Sequence, residues 1–441
     1  MDNFEQFWEQ KNPRHLRISK IFTTFASHSA TQPMAGIYVH IPFCKSRCRY
    51  CDFFSTTQLE KRENYAHAVI AEFNDRQHLL TKPIRTIYFG GGTPSQMPVA
   101  SLRMILACLE DAAKPLQFRG RSQSELQDAS DHHPTQPYTT LHHTTPSYTT
   151  LHNPTPYPSP DEIGEIELTL EANPGDITLE TAQAWRAMGF NRLSIGIQSF
   201  DDDLLQLIGR RHTAEQARKA VFIAQKAGFD NISIDLMYAL PTQTMEQWQK
   251  DVQQALQLGI QHISTYGLIY EEGTALTKLL MDSELQQVDE ETEMRMYDYL
   301  VEQLTANGFV HYEVSNFALP GRQSQHNSNY WNDTPYMGLG AGAHSYDGQC
   351  RQWNIADLDG YISQALTHAL APEVELLSDE DHHTERVMLG LRTNMGVAKK
   401  DIDMRKAEKY IAQGLLEDKG ERVAATTEGF HILNRIIEEL V

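Results

Sequence analysis

The sequence of 441 residues predicts an α/β protein built on a parallel β-sheet that curls into a partial or full β/α barrel. Short β-rich runs alternate with helical stretches from residue 36 onwards. Several runs end in polar or glycine residues, at the edge where a parallel barrel carries its active site. After about residue 375 the alternation stops, which predicts a second, smaller unit.

The predicted strands and helices follow one another in the order that βαβ units require. The strands are expected over 36–41, 85–89, 165–170, 192–197, 231–237 and 262–269. The helices are expected between them, over 63–80, 99–113, 179–188, 214–227 and 245–258.

The chain is expected to divide into an N-terminal extension over 1–33, the barrel over 34–375 and a small domain over 376–441. Helices over 379–391, 401–415 and 429–440, with a hairpin over 416–425, predict a winged-helix-like arrangement for the small domain. The barrel carries a low-complexity insertion over 115–162, which lacks charge over 132–160 and repeats residues 138–142 at 148–152. We expect no fixed fold there, and we interpret its histidines as incidental.

Composition narrows the class of protein. Asp and Glu number 58 against 38 Lys and Arg, and a net charge of -20 disfavours nucleic-acid binding. No apolar run reaches the roughly 18 residues of a membrane span, and the first residues show no secretory signal. Five cysteines, three of them clustered, favour a metal site in a reducing cytoplasm over a disulfide framework. Cys108 and Cys350 stand apart and are expected to be bystander thiols.

Cys44, Cys48 and Cys51 follow the first predicted strand with the spacing C-x3-C-x2-C. Three thiolates on one loop can each bind one iron of a [4Fe-4S] cube and leave the fourth iron open. Basic residues between the cysteines favour the thiolate form. Zinc remains the alternative, because His40 could complete a Cys3His set.

A glycine triplet, Gly90 to Gly92, follows the second predicted strand and precedes Thr93 and Pro94. Three glycines expose backbone groups to a ligand, but they are equally compatible with a tight turn. The segment is not a P-loop, because no Gly-Lys-Ser/Thr follows it.

The cysteine spacing after a first strand and Gly-Gly-Gly-Thr-Pro after a second resemble the radical S-adenosylmethionine (SAM) enzymes. More narrowly, the chain is similar to the oxygen-independent coproporphyrinogen III oxidase group over residues 36–441, except the insertion. The stretches that carry this likeness are 38–44, 50–53, 171–174, 194–200 and 234–241. The resemblance implies the barrel of the radical SAM type.

Two features place the resemblance within that group. The oxidases have a further cysteine two positions beyond the third one, where this chain has Phe53. The chain instead resembles the HemW heme chaperone branch, whose His-Asn-x-x-Tyr-Trp motif, linked with heme binding, matches His326, Asn327, Tyr330 and Trp331. Imidazole can ligate heme iron and aromatic rings can face a porphyrin. A loop with a capping Asn and packed aromatic residues is the alternative interpretation.

The resemblance also implies ligand roles. Cys44, Cys48 and Cys51 would hold the [4Fe-4S] cluster, and the residues near SAM would be Tyr38, Gly91, Gly92, Thr93, Glu171, Gln198, Arg210 and Asp235. In such enzymes the reduced cluster cleaves SAM to methionine and a 5′-deoxyadenosyl radical. Without the resemblance, Arg210 is also compatible with a surface salt bridge, and Glu171 and Asp235 with ion pairs at the barrel rim. No residue is identified as catalytic.

The function implied by the resemblance is that of a cytoplasmic heme chaperone with heme, SAM and the cluster as cofactors. It would pass heme to heme-dependent respiratory proteins at the membrane, without spanning it, and a homodimer is compatible with this role. The alternative is a radical SAM oxidoreductase that decarboxylates coproporphyrinogen III. Phe53 and the motif from His326 to Trp331 favour the chaperone.

Overall fold

The computed structural model describes residues 36–80, 84–113, 166–282 and 285–441. The expected extension over 1–33 and the insertion over 115–162 lie outside these residues. The strands are β1 (Gly36–Ile41), β2 (Thr86–Gly91), β3 (Glu167–Ala172), β4 (Arg192–Gln198), β5 (Ile232–Tyr238), β6 (His262–Gly267), β7 (Val310–Glu313), β8 (Asn316–Ala318), β9 (Tyr336–Leu339), β10 (His344–Tyr346), β11 (Cys350–Trp353), β12 (Glu373–Leu376), β13 (Val397–Ala398), β14 (Leu416–Asp418) and β15 (Arg422–Ala425).

The α-helices of the described ranges lie between these strands and at the C-terminal end. They are α1 (Arg62–Arg76), α2 (Val99–Ala113), α3 (Leu179–Ala187), α4 (Asp202–Leu207), α5 (Ala214–Lys226), α6 (Met245–Gln257), α7 (Ala275–Met281), α8 (Glu290–Ala306), α9 (Gln325–Trp331), α10 (Leu358–Leu366), α11 (Asp379–Leu391), α12 (Met404–Ala412), α13 (Thr427–Phe430) and α14 (Leu433–Leu440). None of the helices in the described ranges is long and apolar enough to cross a membrane.

Twelve of the described strands form one sheet, in the order β12-β11-β10-β9-β1-β2-β3-β4-β5-β6-β8-β7. Strands β1 to β6 are parallel and adjacent in chain order, and β9 runs parallel to β1 on its other side. Strands β7, β8, β10, β11 and β12 add antiparallel pairs at the two edges. The predicted α/β fold is confirmed, and the described strands form a partial barrel because the sheet ends at β12 and β7.

Alternation along the strands separates the two faces of this sheet. In β1, Ile37, Val39 and Ile41 are fully buried and belong to the main hydrophobic core. Tyr38 and His40, on the opposite face, line a cavity inside the barrel. This period of two is what a strand in contact with helices on one side and with a ligand space on the other requires.

Most of the described helices begin after a residue whose side chain caps the first turn. In α5 the Thr213 hydroxyl accepts from the Gln216 N–H while the Gln216 side chain accepts from the Thr213 N–H, which forms a capping box. Ala217, Ala220 and Val221 then bury one side of this helix. Spacings of three and four residues place them on a single face, so α5 packs against the sheet.

The C-terminal elements form a smaller hydrophobic cluster of their own. Helices α11, α12 and α14 pack with a three-stranded sheet of order β13-β15-β14 around Leu391, Tyr410, Val423 and Ile436. The predicted hairpin over 416–425 is present as β14 and β15. The boundary between 375 and 376 stays a prediction.

Candidate cofactor cavity

The three clustered cysteines lie on the loop that leaves β1, and backbone hydrogen bonds hold this loop to the barrel. The Cys44 N–H donates to the Thr56 carbonyl over 2.8 Å, and the Thr56 N–H donates to the Pro42 carbonyl over 2.7 Å. The Arg49 N–H donates to the Ile208 carbonyl over 3.0 Å. The loop is therefore fixed at both ends, at the carboxyl edge of the parallel sheet, where ligand sites of such barrels occur.

The thiols of Cys44, Cys48 and Cys51 all line one cavity. The Cys44 sulfur lies 3.3 Å from the Thr93 hydroxyl, and Arg210 Nη1 donates to the Cys48 sulfur over 3.5 Å. Burial raises the pKa of the Cys44 thiol, and the hydrogen bond with Thr93 opposes that rise. A bound metal centre would convert such a thiol to the thiolate outright.

The arrangement fits a cluster better than a single zinc ion. Among the residues that the structure describes, no three His, Cys, Asp or Glu side chains converge on one metal position. Both ring nitrogens of His40 are engaged, Nδ1 with the Tyr38 hydroxyl at 3.2 Å and Nε2 with the Phe54 carbonyl at 3.0 Å. His40 would have to give up a hydrogen bond before it could bind zinc, whereas a [4Fe-4S] cube takes one thiolate on each of three irons and needs no histidine.

A cavity of about 730 Å³ opens inside the barrel at this edge. That volume lies within the range of about 300–1,000 Å³ that is usual for cofactor sites. It brings together almost all of the residues that the sequence singled out: Tyr38, Cys44, Cys48, Cys51, Gly91, Gly92, Thr93, Glu171, Gln198, Arg210, Asp235, His326, Asn327 and Tyr330. Trp331 ends α9 and does not belong to the described lining of the cavity.

The glycine triplet is both a tight turn and part of the cavity wall. Gly91 has a φ of 110°, and a Cβ there would lie 2.6 Å from the His40 ring. A Cβ at Gly92 would lie 3.0 Å from the Cys44 sulfur and 2.9 Å from the Pro42 backbone. Only glycine lets this backbone approach the cysteine loop so closely. The tight turn is therefore present, and contact of the triplet with a ligand stays a prediction.

The two candidate carboxylates are held by hydrogen bonds from the barrel interior. Glu171 accepts from the Tyr88 hydroxyl at 2.7 Å and from the Gly91 N–H at 3.2 Å. Asp235 accepts from the Ser194 hydroxyl at 3.0 Å, and burial raises its pKa. Both residues line the cavity, and carboxylate oxygens suit hydroxyl or ammonium donors of a ligand.

Gln198 and Arg210 mark an irregular point in the barrel. Gln198 has a φ of 71°, and the pairing of β4 with β5 shifts register between Gly196 and Gln198. Arg210 donates to the Gly196 carbonyl as well as to the Cys48 sulfur, and its buried Nε has no hydrogen-bond partner among the described atoms. Arg210 is thus directed into the site. The positive φ of Gln198 is strained for a residue other than glycine, and backbone strain of this kind is typical of ligand sites.

The segment from His326 to Trp331 is helical and not a loop. Ser324 caps α9 through its hydroxyl, which accepts from the Asn327 N–H at 3.2 Å. The Glu167 carboxylate of β3 accepts from the Gln325 N–H at 3.1 Å and from the His326 N–H at 3.0 Å. A charged acceptor from the barrel therefore satisfies the first amides of this helix.

His326 is buried inside the wall, with 2% of its surface exposed. Its Nδ1 lies 2.7 Å from the Thr86 hydroxyl and its Nε2 2.9 Å from the Tyr330 hydroxyl. Burial lowers the pKa of His326 to about 3, so the ring is neutral at pH 7. Both ring nitrogens of His326 have hydrogen-bond partners, so the neutral imidazole holds the Tyr330 hydroxyl in place.

Sequence reasoning missed several cavity residues. Tyr88 stacks on His326 with ring centroids 5.0 Å apart and donates to Glu171. It lies two residues before Gly90, so the period of a strand could have placed it on the same face. Tyr336 and His344 also line the cavity, but they belong to β9 and β10, for which the sequence carried no clear strand pattern.

Comparisons with protein families agree with this architecture. The model of the radical SAM superfamily matches residues 38–255, and that of the HemN C-terminal domain matches residues 377–432. The solved structure of coproporphyrinogen III oxidase (HemN) from Escherichia coli superposes with a TM-score of 0.69 at 20% identity, over 92% of this chain and 90% of that one. This likeness shows the shared fold.

Comparisons with individual proteins narrow the family. The heme chaperone HemW of Lactococcus lactis is 33% identical, over 92% of this chain and 96% of that protein. HemW of Bacillus subtilis is 32% identical, over 86% of this chain and 87% of that protein. The mitochondrial radical S-adenosyl methionine domain-containing protein 1 of Danio rerio is 30% identical, over 92% of this chain and 83% of that protein. With this extent of similarity and the shared barrel, the chain belongs to the HemW family of the radical SAM superfamily.

Proposed function

We propose that the chain is a heme chaperone that binds heme and passes it to heme-dependent respiratory proteins, acting in the cytoplasm with a [4Fe-4S] cluster and SAM. One observation carries the proposal: the cysteine loop, the polar strand ends and the aromatic helix α9 all line the same cavity of about 730 Å³. The relatives from Lactococcus lactis and Bacillus subtilis are named heme chaperones, which supports heme as the cargo.

Cys44, Cys48 and Cys51 would hold three irons of the cluster and leave one iron to SAM. The guanidinium of Arg210, in contact with the Cys48 sulfur, would offset negative charge on the thiolates. When bound and reduced, a cluster of this class supplies one electron to the sulfonium of SAM.

SAM would bind along the carboxyl ends of the parallel strands. The close-lying backbone of Gly91 and Gly92 would meet its amino acid portion, and Thr93 would add a hydroxyl. Glu171 and Asp235 have acceptor oxygens for its hydroxyl and ammonium groups. This polar wall also includes Gln198, Tyr38 and Arg210, whose Nε has no hydrogen-bond partner within the described ranges.

Heme would lie towards α9, where Asn327 and Tyr330 line the cavity. His326 would orient Tyr330 through its hydrogen bond of 2.9 Å. The contribution of Trp331 stays a prediction, because its side chain is not part of the described cavity wall.

Anaerobic reconstitution with iron and sulfide tests the cluster. We expect about four irons and four sulfides per chain for the wild type, and loss of both for Cys48→Ala, which removes one ligand. Cys108→Ala is the matched control, because Cys108 lies in α2 outside the cavity lining. Tightly bound zinc without sulfide would contradict the proposal.

Heme loading and transfer test the chaperone role. The reconstituted protein, loaded with hemin, is mixed with membrane vesicles that contain heme-free respiratory cytochromes, and we expect the cytochrome spectrum to appear. A parallel incubation supplies coproporphyrinogen III, SAM and a reductant. Failure of the wild type to bind heme would refute the proposal, and decarboxylation of coproporphyrinogen would favour the oxidoreductase in its place. Phe53, which lines the cavity where the oxidases have cysteine, leads us to expect no decarboxylation.

A further inference from the structure

Helix α6 carries one buried carboxylate, that of Asp251, which contacts the turn after strand β4. Asp251 is 1% exposed and does not belong to the described lining of the cavity. Its two carboxylate oxygens accept from the Ser199 hydroxyl at 2.7 Å and from the Phe200 N–H at 2.8 Å. A buried charge is costly unless hydrogen bonds satisfy it, and here both donors come from the two residues that follow Gln198.

The turn that Asp251 contacts begins with a strained residue. Gln198 has a φ of 71°, and the pairing of β4 with β5 shifts register between Gly196 and Gln198. A non-glycine residue persists in such a conformation only where the surrounding structure holds it there. Because Ser199 and Phe200 are bonded to Asp251, helix α6 fixes the backbone directly after the strained position.

The Gln198 side chain lies in the polar wall of the cavity, beside two other residues assigned to the SAM site. A Cβ at Gly196 would lie 3.1 Å from Gln198 Nε2 and 3.2 Å from Arg210 Nη2. It would also lie 3.9 Å from Asp235 Oδ2. The three side chains therefore converge over one glycine, and a shift of the Gln198 backbone would open this cluster.

The charge of Asp251 changes within the range of pH in which the protein can be studied. Burial and, to a smaller extent, the carboxylate of Asp201 raise the pKa of Asp251 to about 6, against the opposing effect of its two hydrogen bonds. Asp201 faces Asp251 from the same turn, and its carboxylate accepts from the Gln247 side chain at 3.0 Å. His212, whose ring lies 3.0 Å from the Ile197 carbonyl, is neutral at pH 7 because burial lowers its pKa to about 3.

We propose that Asp251 is a positioning residue of the SAM site, whose ionised carboxylate holds the turn after β4 so that Gln198 keeps its place in the cavity wall. This inference rests on the proposed SAM binding and adds to it a residue that lies outside the cavity. An ionised carboxylate accepts strongly on both oxygens, whereas a carboxylic acid or an amide presents a donor on one side. The affinity for SAM should therefore depend on the charge of Asp251.

Anaerobic calorimetric titration of the reconstituted holoprotein with SAM tests the positioning role. Asp251→Asn should bind SAM roughly tenfold more weakly at about pH 8, with cluster content and thermal melt close to those of the wild type. Glu246→Gln, the same kind of change at an exposed position of α6, is the matched control and should bind SAM as the wild type does. Wild-type affinity in folded Asp251→Asn would overturn the inference and leave the proposed function standing.

A double-variant cycle shows whether Asp251 acts through Gln198. Gln198→Ala alone should weaken SAM binding, and Asp251→Asn should add little to that loss, because the side chain that it positions is already absent. Losses that add in full would show that Asp251 acts on the site by another route, and wild-type affinity in Gln198→Ala would show that Gln198 is not a contact. Either result would overturn the inference.

The pH dependence of SAM binding gives a readout that a residue with only a structural role would not move. The wild-type affinity should fall as the pH falls through about 6, and the difference between wild type and Asp251→Asn should disappear towards about pH 5, where both carry a neutral group. Other titrating groups of the site are common to both proteins and cancel in the comparison. A difference that is independent of pH would overturn the inference.

The wild type alone also tests the inference, even if Asp251→Asn does not fold. Wild-type affinity for SAM that stays constant as the pH falls through about 6 would overturn it. If the wild type binds no SAM at any pH, the proposed SAM binding itself fails and the inference fails with it.

Discussion

His326 shows how burial decides the role of a side chain that carries a recognisable motif. Its ring is enclosed by Tyr38, Tyr88 and Tyr330, and its nitrogens bond to Thr86 and Tyr330. Because burial depresses the folded-state pKa to about 3, against a usual 6.5, the unfolded chain takes up a proton at higher pH than the folded one. The contribution of this group to stability is therefore complete above pH 6.5 and decreases as the pH falls towards 3.

This pKa shift predicts a pH-dependent difference between wild type and His326→Gln. Between pH 7 and pH 5 the wild type should lose about 2 kcal/mol of unfolding free energy relative to the variant, because glutamine has no proton to gain. Urea unfolding at several pH values measures the difference. A constant difference across that range would show that His326 is not held neutral by burial.

Gly91 is a position where the backbone conformation and the close packing require glycine. Gly91→Ala should lose SAM binding and destabilise the fold by about 2–4 kcal/mol. The new Cβ would clash with the His40 ring, and the alanine would also have to adopt a strained positive φ. Gly228→Ala is the control: its φ of 94° is also positive, but no atom of the described part of the chain lies within 4 Å of the added Cβ. That variant should lose only about 1 kcal/mol and keep SAM binding. Equal effects would mean that the close approach of Gly91 to the His40 ring is unimportant.

Helix α9 depends on a residue of another element. Its first two amides donate to Glu167, which lies in β3 and is 5% exposed. Alone, a helix of two turns is unstable in water, so this tertiary cap is what orders the segment that lines the cavity. The motif from His326 to Trp331 therefore depends on the barrel strand β3 for its helical structure.

We expect Glu167→Ala to loosen α9 and leave the cysteine loop in place. The variant should lose about 2 kcal/mol of unfolding free energy and bind hemin more weakly, because buried amides lose a charged acceptor. Iron and sulfide content should stay at the wild-type value. The exposed residue Glu180 of α3 provides the control variant Glu180→Ala. Loss of the cluster together with heme would indicate that α9 and the cysteine loop are not independent.

For the molecule as a whole, the barrel is expected to tolerate removal of residues 132–160, which lie outside the described residues. The segment has neither charge nor an amphipathic period, so it should add little to the core. Its deletion should change the unfolding free energy by less than about 1 kcal/mol, or about 2–4 °C in Tm, with cluster and SAM content unchanged. A larger loss in calorimetry would show that the insertion packs against the barrel.

Much of the barrel and of its cofactor edge can be read from local patterns. Strands β1 to β6 and their helices were predicted with shifts of a few residues, because side-chain period and capping are properties of neighbouring residues. The predicted helix over 63–80 was too long, since α1 ends at Arg76 and only a short 3₁₀ turn follows. Parallel strands place their carboxyl ends together, so Gly91, Glu171 and Asp235 were expected at one edge and lie there.

Contacts between distant parts of the chain decided the rest. The sequence contains no sign that Arg210 reaches Cys48, 162 positions away, or that His326 bonds to Thr86, 240 positions away. Strands β7 to β12 are at most four residues long and obtain their hydrogen-bond partners from the sheet edges, so no local periodicity revealed them. Burial and hydrogen-bond pairing depend on which surfaces meet, and for this reason only the tertiary structure decided the burial of His326 and the positions of Tyr336 and His344 in the cavity lining.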